Sequence, residues 1–243
     1  MSYRPKLIAT DLDGTICPHA APISKRTIAT LTRAHEMGVK VFFVTGRPPR
    51  WMGQIKEAFN FGQAICSNGG ILWDLQREEV LEEWRITPSL MVETVTKLRK
   101  AIPEIHFAFE NHGDFRREKL YVARWDLGVD IDGVDDILDY SQNGAVKLLA
   151  RGSDKLFNSD EMLAVAQQEV GNIVTVTHSN PWESLLEISA HGVSKGDTLS
   201  IICERLQIDR EDVVAFGDNP NDFSMLEFAG RSYAMSDGHP DAI

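Results

Sequence analysis

The sequence is poor in cysteine. Its 243 residues include three, Cys17, Cys66 and Cys203, and no CxxC pair. An odd number of widely spaced cysteines argues against a disulfide framework and a cysteine zinc site, and is typical of a reducing compartment. The seven histidines are scattered without an HExxH pair, so we assign no histidine as a metal ligand.

Long apolar runs and an excess of positive charge are also lacking. No apolar stretch approaches the length that spans a bilayer, and the first residues, MSYRPK, lack the apolar segment of a signal peptide. The formal net charge is −11, from 25 basic and 36 acidic residues, which argues against general binding of nucleic acid or anionic membranes. We therefore expect a cytoplasmic protein without nucleic-acid or membrane partners.

Both ends of the chain show an alternation of apolar strands and amphipathic helices. Near the N-terminus, the predicted elements are, in order, KLIATDL, SKRTIATLTRAHEMG, VKVFFVT, PPRWMGQIKEAFN and QAICS. Near the C-terminus they are SKGDTLSIICERLQ, DVVAFGD, NDFSMLEFAG and RSYAM. Ser24 and Ser194 are expected to cap their helices, and Gly38 to end the first one. This pattern predicts an α/β fold with a parallel sheet and crossover helices.

The middle of the chain follows a different pattern. ILWDLQREEVLEEWRI predicts a hairpin that leaves the sheet, and helices are expected near 88–101 and 159–170. Strands are expected in IHFAFEN, KLYVARW, GAVKLLAR, NIVTVTH and SLLEISA. Strands of period two mixed with two helices predict an inserted α+β domain. We expect a core of residues 1–83 and 190–243, and a cap of residues 84–189.

Acidic residues follow two of the predicted core strands. Asp11 and Asp13 are two residues apart, so in an extended strand they would share a face. Asp218 ends another strand, and Asn221 and Asp222 lie just beyond it. Ligands bind at the carboxyl ends of strands in open α/β sheets. Acids that converge from two strands predict a hard cation, and ligation by oxygen alone suits Mg²⁺.

The pair of aspartates also suits phosphoryl transfer. One carboxylate can attack phosphorus to form an aspartyl phosphate, and the other can protonate the leaving oxygen and then activate water. Thr45 offers a hydroxyl to a phosphate, Gly46 a backbone N–H, and Lys195 a positive charge near a helix start. Plainer interpretations remain: a strand cap for Thr45, a surface lysine for Lys195, and a helix cap for Asn221.

Four segments resemble, in order, the four motifs of the haloacid dehalogenase-like hydrolases: DLDGT, VTGR, the lysine of GVSKG, and GDNPND. SNGG and LEISAHGVSKGDTL are similar to the Cof-type subfamily, whose cap lies between the second and third motifs. The resemblance covers nearly the whole chain, although the cap matches in layout more than in sequence. It implies a Rossmann-like parallel-sheet core with an inserted α+β cap of the C2 type.

The resemblance also implies a role for each matching residue. Asp11 would be the nucleophile and Asp13 the general acid/base. Mg²⁺ would be held by the Asp11 side chain, the Asp13 backbone carbonyl and Asp218, with Asp222 in support. The phosphate would meet the backbone of Leu12 and the residues Thr45, Gly46, Lys195 and Asn221.

Two neighbours of these motifs are open to more than one interpretation. Arg47, in VTGR, is expected to be structural or to line the substrate site rather than to be catalytic. Asn68, in SNGG, could line the site, but turn formation with Gly69 and Gly70 explains it equally well.

These observations predict a Mg²⁺-dependent phosphatase of small phosphorylated metabolites, with sugar phosphates as the expected class. One alternative is a glycosyltransferase that binds its metal through DxD, which leaves Lys195 and GDNPND unexplained. Another is a non-catalytic sensor of a phosphorylated ligand, which would not need both aspartates of DxD.

Substrate choice is expected to depend on the cap, where Arg116, Arg117 and Arg124 could contact the leaving group, although a solvated strand face explains these arginines better. The sequence does not predict an oligomeric state.

Overall fold

The computed structural model describes residues 4–18, 21–124 and 132–243. The chain divides into two compact units, a core unit of Met1–Glu82 and Ser194–Ile243 and an inserted unit of Glu83–Val193. The insert predicted from the sequence ran from 84 to 189.

The strands and α-helices of the described residues are numbered in chain order. The strands are β1 Leu7–Thr10, β2 Lys40–Val44, β3 Gln63–Cys66, β4 Ile71–Asp74, β5 Glu79–Glu83, β6 His106–Asn111, β7 Asp114–Arg117, β8 Lys147–Arg151, β9 Val174–Thr177, β10 Leu185–Ala190, β11 Val213–Gly217 and β12 Arg231–Ala234. The helices are α1 Lys25–Glu36, α2 Gly53–Ala58, α3 Pro88–Ala101, α4 Ser159–Val170, α5 Lys195–Leu206 and α6 Phe223–Phe228. Within these described ranges, no helix is both long and apolar enough to cross a membrane.

The sheet of the core unit has the strand order β12-β11-β1-β2-β3-β4-β5. The strands from β12 to β3 in that order run parallel to one another, as predicted. The inner strands β1, β2 and β11 are mostly apolar and buried, as is typical of a parallel sheet covered on both faces, whereas the edge strand β12 is largely exposed. The register sets Leu7 opposite Val213 and Thr10 opposite Phe216. The carboxyl ends of β1 and β11 therefore lie side by side, and so do the loops that follow them.

Capping residues define the ends of two core helices. The Ser24 side chain accepts the N–H of Thr27 and begins α1, and the Ser194 side chain accepts the N–H of Asp197 and begins α5. The predicted end of α1 is also present, since the N–H of Gly38 donates to the carbonyl of His35. Ser194 thereby places the next residue, a lysine, in the first turn of α5.

The helix predicted over PPRWMGQIKEAFN forms in two pieces. A 3₁₀ turn over Pro49–Trp51 comes first, and α2 follows from Gly53. Proline begins a helical turn readily because its φ is already near the helical value, whereas glycine in the middle of a helix disfavours its continuation.

The hairpin predicted to leave the sheet instead extends it, so that prediction was wrong. Strand β4 pairs antiparallel with β3, with Leu72 opposite Ile65, and β5 lies at the sheet edge. Ile71 and Leu72 are buried. Acidic residues such as Glu79 lie on the edge strand β5, where charged side chains are tolerated and discourage further pairing.

The inserted unit has an antiparallel sheet of order β7-β6-β8-β10-β9, and helices α3 and α4 have the predicted bounds. Successive strand residues point to opposite faces. One face packs on the two helices, and its apolar cluster includes Met91, Val95, Leu98, Phe107, Phe109, Leu148, Ala150, Met162, Ala166, Val170, Leu186 and Ile188. This layout is the α+β arrangement expected for the insert.

The strand predicted in KLYVARW is absent from the described residues 119–124, and Trp125 lies outside the described residues. The chain forms β7 earlier, over Asp114–Arg117. Tyr121 is nonetheless buried, in a cluster with Phe115 and Leu149. The apolar residues that suggested a strand therefore pack as an irregular segment.

Two of the three arginines expected to influence substrate choice form ion pairs within the inserted unit. Arg116 lies over the ring of Tyr140, 5.4 Å from its centroid, and forms an ion pair with Asp114. Arg124 forms an ion pair with Asp154. Arg117 lies opposite Ala108 on β6. Their contact with a leaving group stays a prediction.

Candidate active site

The carboxyl ends of β1 and β11 bring three of the predicted acids together. Asp11 follows β1 directly, and its N–H donates to the carbonyl of Phe216 in β11 at 2.9 Å. Asp218 follows β11, and Asp222 lies in the next turn. One carboxylate oxygen from each of these three aspartates lies within 4.8 Å of the other two, and all three residues are buried.

Lys195 is the cation of this acidic cluster. Its side chain is fully buried, and Nζ donates to Oδ1 of Asp11 and to Oδ1 of Asp222, both at 2.6 Å. Burial acts to lower the pKa of Lys195, but the carboxylates of Asp11 and Asp222 outweigh burial and raise it. Lys195 is therefore charged, and its interpretation as a surface lysine is wrong.

The cluster holds more negative than positive charge. With all three carboxylates ionised around one ammonium group, two negative charges would be left uncompensated among these four residues. Burial raises the pKa of Asp11 well above its usual value, and the charge of Asp222 adds to the rise. Burial and Asp222 also raise the pKa of Asp218 to about 6. An additional cation would stabilise both ionised carboxylates.

Asp222 organises the loop that follows β11. Its Oδ2 accepts the N–H of Asp218 at 3.0 Å and of Asn219 at 3.2 Å, while its Oδ1 accepts from Lys195. The side-chain Nδ2 of Asn219 donates in turn to Oδ2 of Asp218 at 2.6 Å. Because both of its oxygens are engaged in this way, Asp222 positions Asp218 and Lys195, which fits the supporting role implied by the resemblance.

Asp13 lies apart from the buried acids. Its side chain is 49% exposed and forms a bidentate ion pair with Arg47, from Nε to Oδ2 at 2.8 Å and from Nη2 to Oδ1 at 2.5 Å. The shared strand face expected for Asp11 and Asp13 does not form, because β1 ends at Thr10. The chain turns next, and the carbonyl of Leu12 accepts the N–H groups of Thr15, Ile16 and Cys17.

Gly14 allows this turn to approach Asp218 closely. Its φ is +85°, and a Cβ on Gly14 would overlap the Asp218 carboxylate. The next residue, Thr15, donates from Oγ1 to Oδ1 of Asp218 at 3.3 Å. Glycine is therefore required here both for the left-handed backbone and for the space beside the acid.

We expect Gly14→Ala to lower kcat/KM by about 10-fold or more, because the added methyl group must displace Asp218. Gly38→Ala is the matched control, since Gly38 has the same φ of +85° and no described atom lies within 4 Å of the Cβ that would be added. Both variants should lose about 1–2 kcal/mol of stability from a left-handed alanine. Urea unfolding and kinetics measure the two effects, and equal activity of the variants would contradict the assignment.

The other predicted phosphate ligands lie at the end of β2 and after β11. Thr45 is buried, and its Oγ1 accepts the N–H of Arg47 at 3.1 Å. This contact is the one expected if Thr45 caps the end of its strand. Asn221 is buried too, and its Nδ2 donates to Oδ1 of Asn68 at 3.1 Å. Gly46 lies between Thr45 and Arg47, and Leu12 is buried directly after Asp11. Their contact with a phosphate stays a prediction.

Sequence reasoning missed two contacts of this site. One is the pairing of Asp13 with Arg47, and the other is the hydrogen bond between Asn68 and Asn221. The SNGG sequence after a predicted core strand was the signal for the second contact, but it equally predicts an ordinary turn.

The oxygen donors of the cluster fit a hard divalent cation. Oδ2 of Asp11 is buried, and no described residue donates a hydrogen bond to it. Buried polar atoms normally have partners, so this oxygen suits a ligand of positive charge. The group that could hold a metal consists of aspartates alone. Carboxylate ligation of this kind suits Mg²⁺.

Known proteins share the sequence pattern and the fold. A model of the haloacid dehalogenase-like hydrolase family matches residues 8–243. The 5-amino-6-(5-phospho-D-ribitylamino)uracil phosphatase YitU of Bacillus subtilis is 28% identical over 255 residues, covering 98% of this chain and 89% of YitU. The pyridoxal phosphate phosphatase YbhA of Escherichia coli is 28% identical over 270 residues, covering 98% of this chain and 90% of YbhA. The structure of phosphatase BT1666 from Bacteroides thetaiotaomicron has the same fold, with a TM-score of 0.79 and 21% identity. The match covers 99% of this chain and 87% of BT1666.

Proposed function

This chain belongs to the haloacid dehalogenase-like hydrolases, and we propose that this phosphatase depends on Mg²⁺ and hydrolyses small phosphorylated metabolites, with sugar phosphates as the expected class. The observation that carries the proposal is the buried cluster of Asp11, Asp218 and Asp222 around Lys195. The relatives YitU and YbhA support the substrate class, because both are named for small phosphate esters.

Asp11 is the proposed nucleophile. Its two oxygens differ: Oδ1 accepts from Lys195, whereas Oδ2 accepts no hydrogen bond from the described part of the chain and is the oxygen open to a metal. Attack forms a bond between the other oxygen, Oδ1, and phosphorus while the bond from phosphorus to the leaving oxygen breaks. Water then hydrolyses the aspartyl phosphate, which restores the carboxylate and releases inorganic phosphate.

Asp13 is the proposed general acid/base, which protonates the leaving oxygen and later accepts a proton from water. Its exposure suits contact with a substrate from solvent. Both of its oxygens accept from Arg47, so proton transfer at Asp13 requires that this ion pair loosens. Arg47 therefore orients the carboxylate rather than reacting itself.

Asp11 and Asp218 would hold Mg²⁺ by their side chains and Asp13 by its backbone carbonyl, with Asp222 in support. When bound, the ion supplies positive charge that offsets the charge of the phosphoryl group. Lys195 contributes a second positive charge, which Asp11 and Asp222 keep protonated. The remaining phosphate ligands in this proposal are Leu12, Thr45, Gly46 and Asn221.

We expect hydrolysis of p-nitrophenyl phosphate to require Mg²⁺ and to be suppressed by Ca²⁺, which favours more ligands and longer bonds and would misplace Asp11. Binding also has a readout without turnover: Mg²⁺ should raise the Tm of chelator-treated protein, as ligands of the folded state do. Asp218→Asn should abolish this shift, while Asp209→Asn, at an exposed position, should keep it. Full activity in excess chelator would contradict the metal assignment.

The alternatives considered from the sequence give different results in the same assays. A glycosyltransferase would turn over nucleotide-sugars without hydrolysing phosphate esters, and the family match disfavours it. A sensor would bind phosphorylated ligands without turnover. A panel of phosphorylated metabolites, assayed for phosphate release, would identify the substrate. A cytoplasmic location stays a prediction.

A further inference from the structure

We propose that Asn68 is a positioning residue of this site, which fixes the side-chain amide of Asn221 so that Asn221 can donate to the phosphoryl group. The inference rests on the proposed function, specifically on Asn221 as a phosphate ligand. Two observations support it: a buried hydrogen bond joins the side chains of Asn68 and Asn221, and Asn68 has a left-handed backbone conformation.

Three successive residues after β3 have a left-handed backbone. Their φ angles are 53° at Ser67, 55° at Asn68 and 103° at Gly69. Ser67 and Asn68 are both buried. This conformation is unfavourable for serine and is tolerated better by asparagine and best by glycine, and it persists where the surrounding structure imposes it, often at functional sites.

Contacts from two sides impose this conformation. On one side, the N–H of Ser67 donates to the carbonyl of Arg47, and the N–H of Asn68 donates to the carbonyl of Thr45, both at 3.0 Å. On the other side, Oγ1 of Thr198 in α5 donates to the carbonyl of Gly69 at 2.8 Å. The turn is thus held between the end of β2 and the first turns of α5, where Lys195 lies.

The turn directs the Asn68 side chain to Asn221. Oδ1 of Asn68 accepts from Nδ2 of Asn221 at 3.1 Å, and both residues are buried. A primary amide has a donor end and an acceptor end, and rotation by half a turn exchanges them. The bond to Asn68 fixes which end of Asn221 carries the N–H groups. The second N–H on Nδ2 is then available as a donor, which is what a phosphate oxygen requires.

Turn formation alone does not account for this arrangement. Glycine adopts a left-handed backbone without strain, as Gly69 does in the same turn. An asparagine at position 68 fits this backbone less well than glycine would, but it supplies an acceptor to Asn221. Asn68→Gly therefore keeps the left-handed backbone and removes the side chain that holds Asn221.

Gln207→Gly is the matched control for this substitution. Gln207 ends α5 with φ 54° and ψ 45°, close to the φ 55° and ψ 37° of Asn68, but it is exposed. We expect Asn68→Gly to lower kcat/KM for p-nitrophenyl phosphate, and to raise the inhibition constant of inorganic phosphate, by about 10- to 100-fold, the scale of a misplaced binding group. Gln207→Gly should leave both unchanged.

A double-mutant cycle shows whether Asn68 acts through Asn221. In an Asn221→Ala background, Asn68→Gly should have little further effect on either constant. Thermal unfolding checks the fold, and the Tm of Asn68→Gly should stay near the wild-type value, because glycine relieves strain as the hydrogen bond is lost.

Two results would overturn this role while leaving the phosphatase assignment intact. One is wild-type kinetics and phosphate inhibition in Asn68→Gly. The other is an equal loss on adding Asn68→Gly to wild type and to Asn221→Ala, since Asn68 would then act independently. If the wild-type protein neither hydrolyses p-nitrophenyl phosphate nor is inhibited by phosphate, the proposed function itself fails, and the role of Asn68 fails with it.

Discussion

Asp11→Asn is expected to lower turnover by about 10³-fold or more while the protein stays folded. Asparagine is nearly isosteric with aspartate, but its amide cannot readily attack phosphorus. Burial and the nearby charge of Asp222 raise the pKa of Asp11, so an ionised carboxylate is unfavourable at this position. A neutral amide removes that cost, and we expect the Tm in chelator to equal or exceed that of the wild type.

The measurements are kcat/KM on p-nitrophenyl phosphate with Mg²⁺, and thermal unfolding with and without chelator. Asp209→Asn is the control for a change of charge at an exposed position of the same unit, and it should retain full turnover. A folded Asp11→Asn protein with near-normal turnover would remove the covalent mechanism. A large fall in Tm would contradict the view that the carboxylate is unfavourable in the fold.

Lys195→Met is expected to destabilise the protein by about 3–5 kcal/mol and to abolish activity. Lys195 is fully buried, and its Nζ bridges Asp11 and Asp222. Methionine has a similar length but no charge, so two buried carboxylates would be left without their shared partner. Removing one member of a buried ionic group is costly because the remaining charges are neither hydrated nor paired. The effect should be greatest in chelator, where Mg²⁺ cannot compensate.

Lys25→Met is the matched control, because Lys25 also follows a serine cap at the first position of a helix, but it is exposed. Its free energy of unfolding should change by less than about 0.5 kcal/mol. Adding Asp222→Asn to Lys195→Met should recover part of the lost stability, since it removes one unpaired charge, but it should not recover activity. If urea unfolding gives the two lysine variants equal stability, the electrostatic account of the cluster is wrong.

The sequence by itself predicted the features that depend on nearby residues. The serine caps of α1 and α5, and the bounds of α3 and α4, follow from hydrogen bonds and apolar spacing within one or two turns of helix. The parallel arrangement of the core strands followed from the alternation of strands with helices, because a crossover helix returns the chain to the same end of the sheet.

The two wrong strand predictions concern segments whose partners the sequence does not reveal. The hairpin of β4 and β5 stays in the core sheet because β4 finds a partner in β3. Tyr121 is buried against Phe115 and Leu149 without pairing as a strand. In both cases the hydrogen-bond partners, which come from other segments of the chain, decide whether the segment belongs to a sheet.

The candidate acids could be identified from the sequence because they follow predicted strands, but only the tertiary structure decided how they are paired. It gathers Asp11 and Asp222 around Lys195, and it leaves Asp13 outside that cluster, paired with Arg47. It also brings Asn68 into contact with a residue 153 positions away in the chain. The direction and burial of each side chain depend on how distant segments pack, and no local spacing in the sequence carries that information.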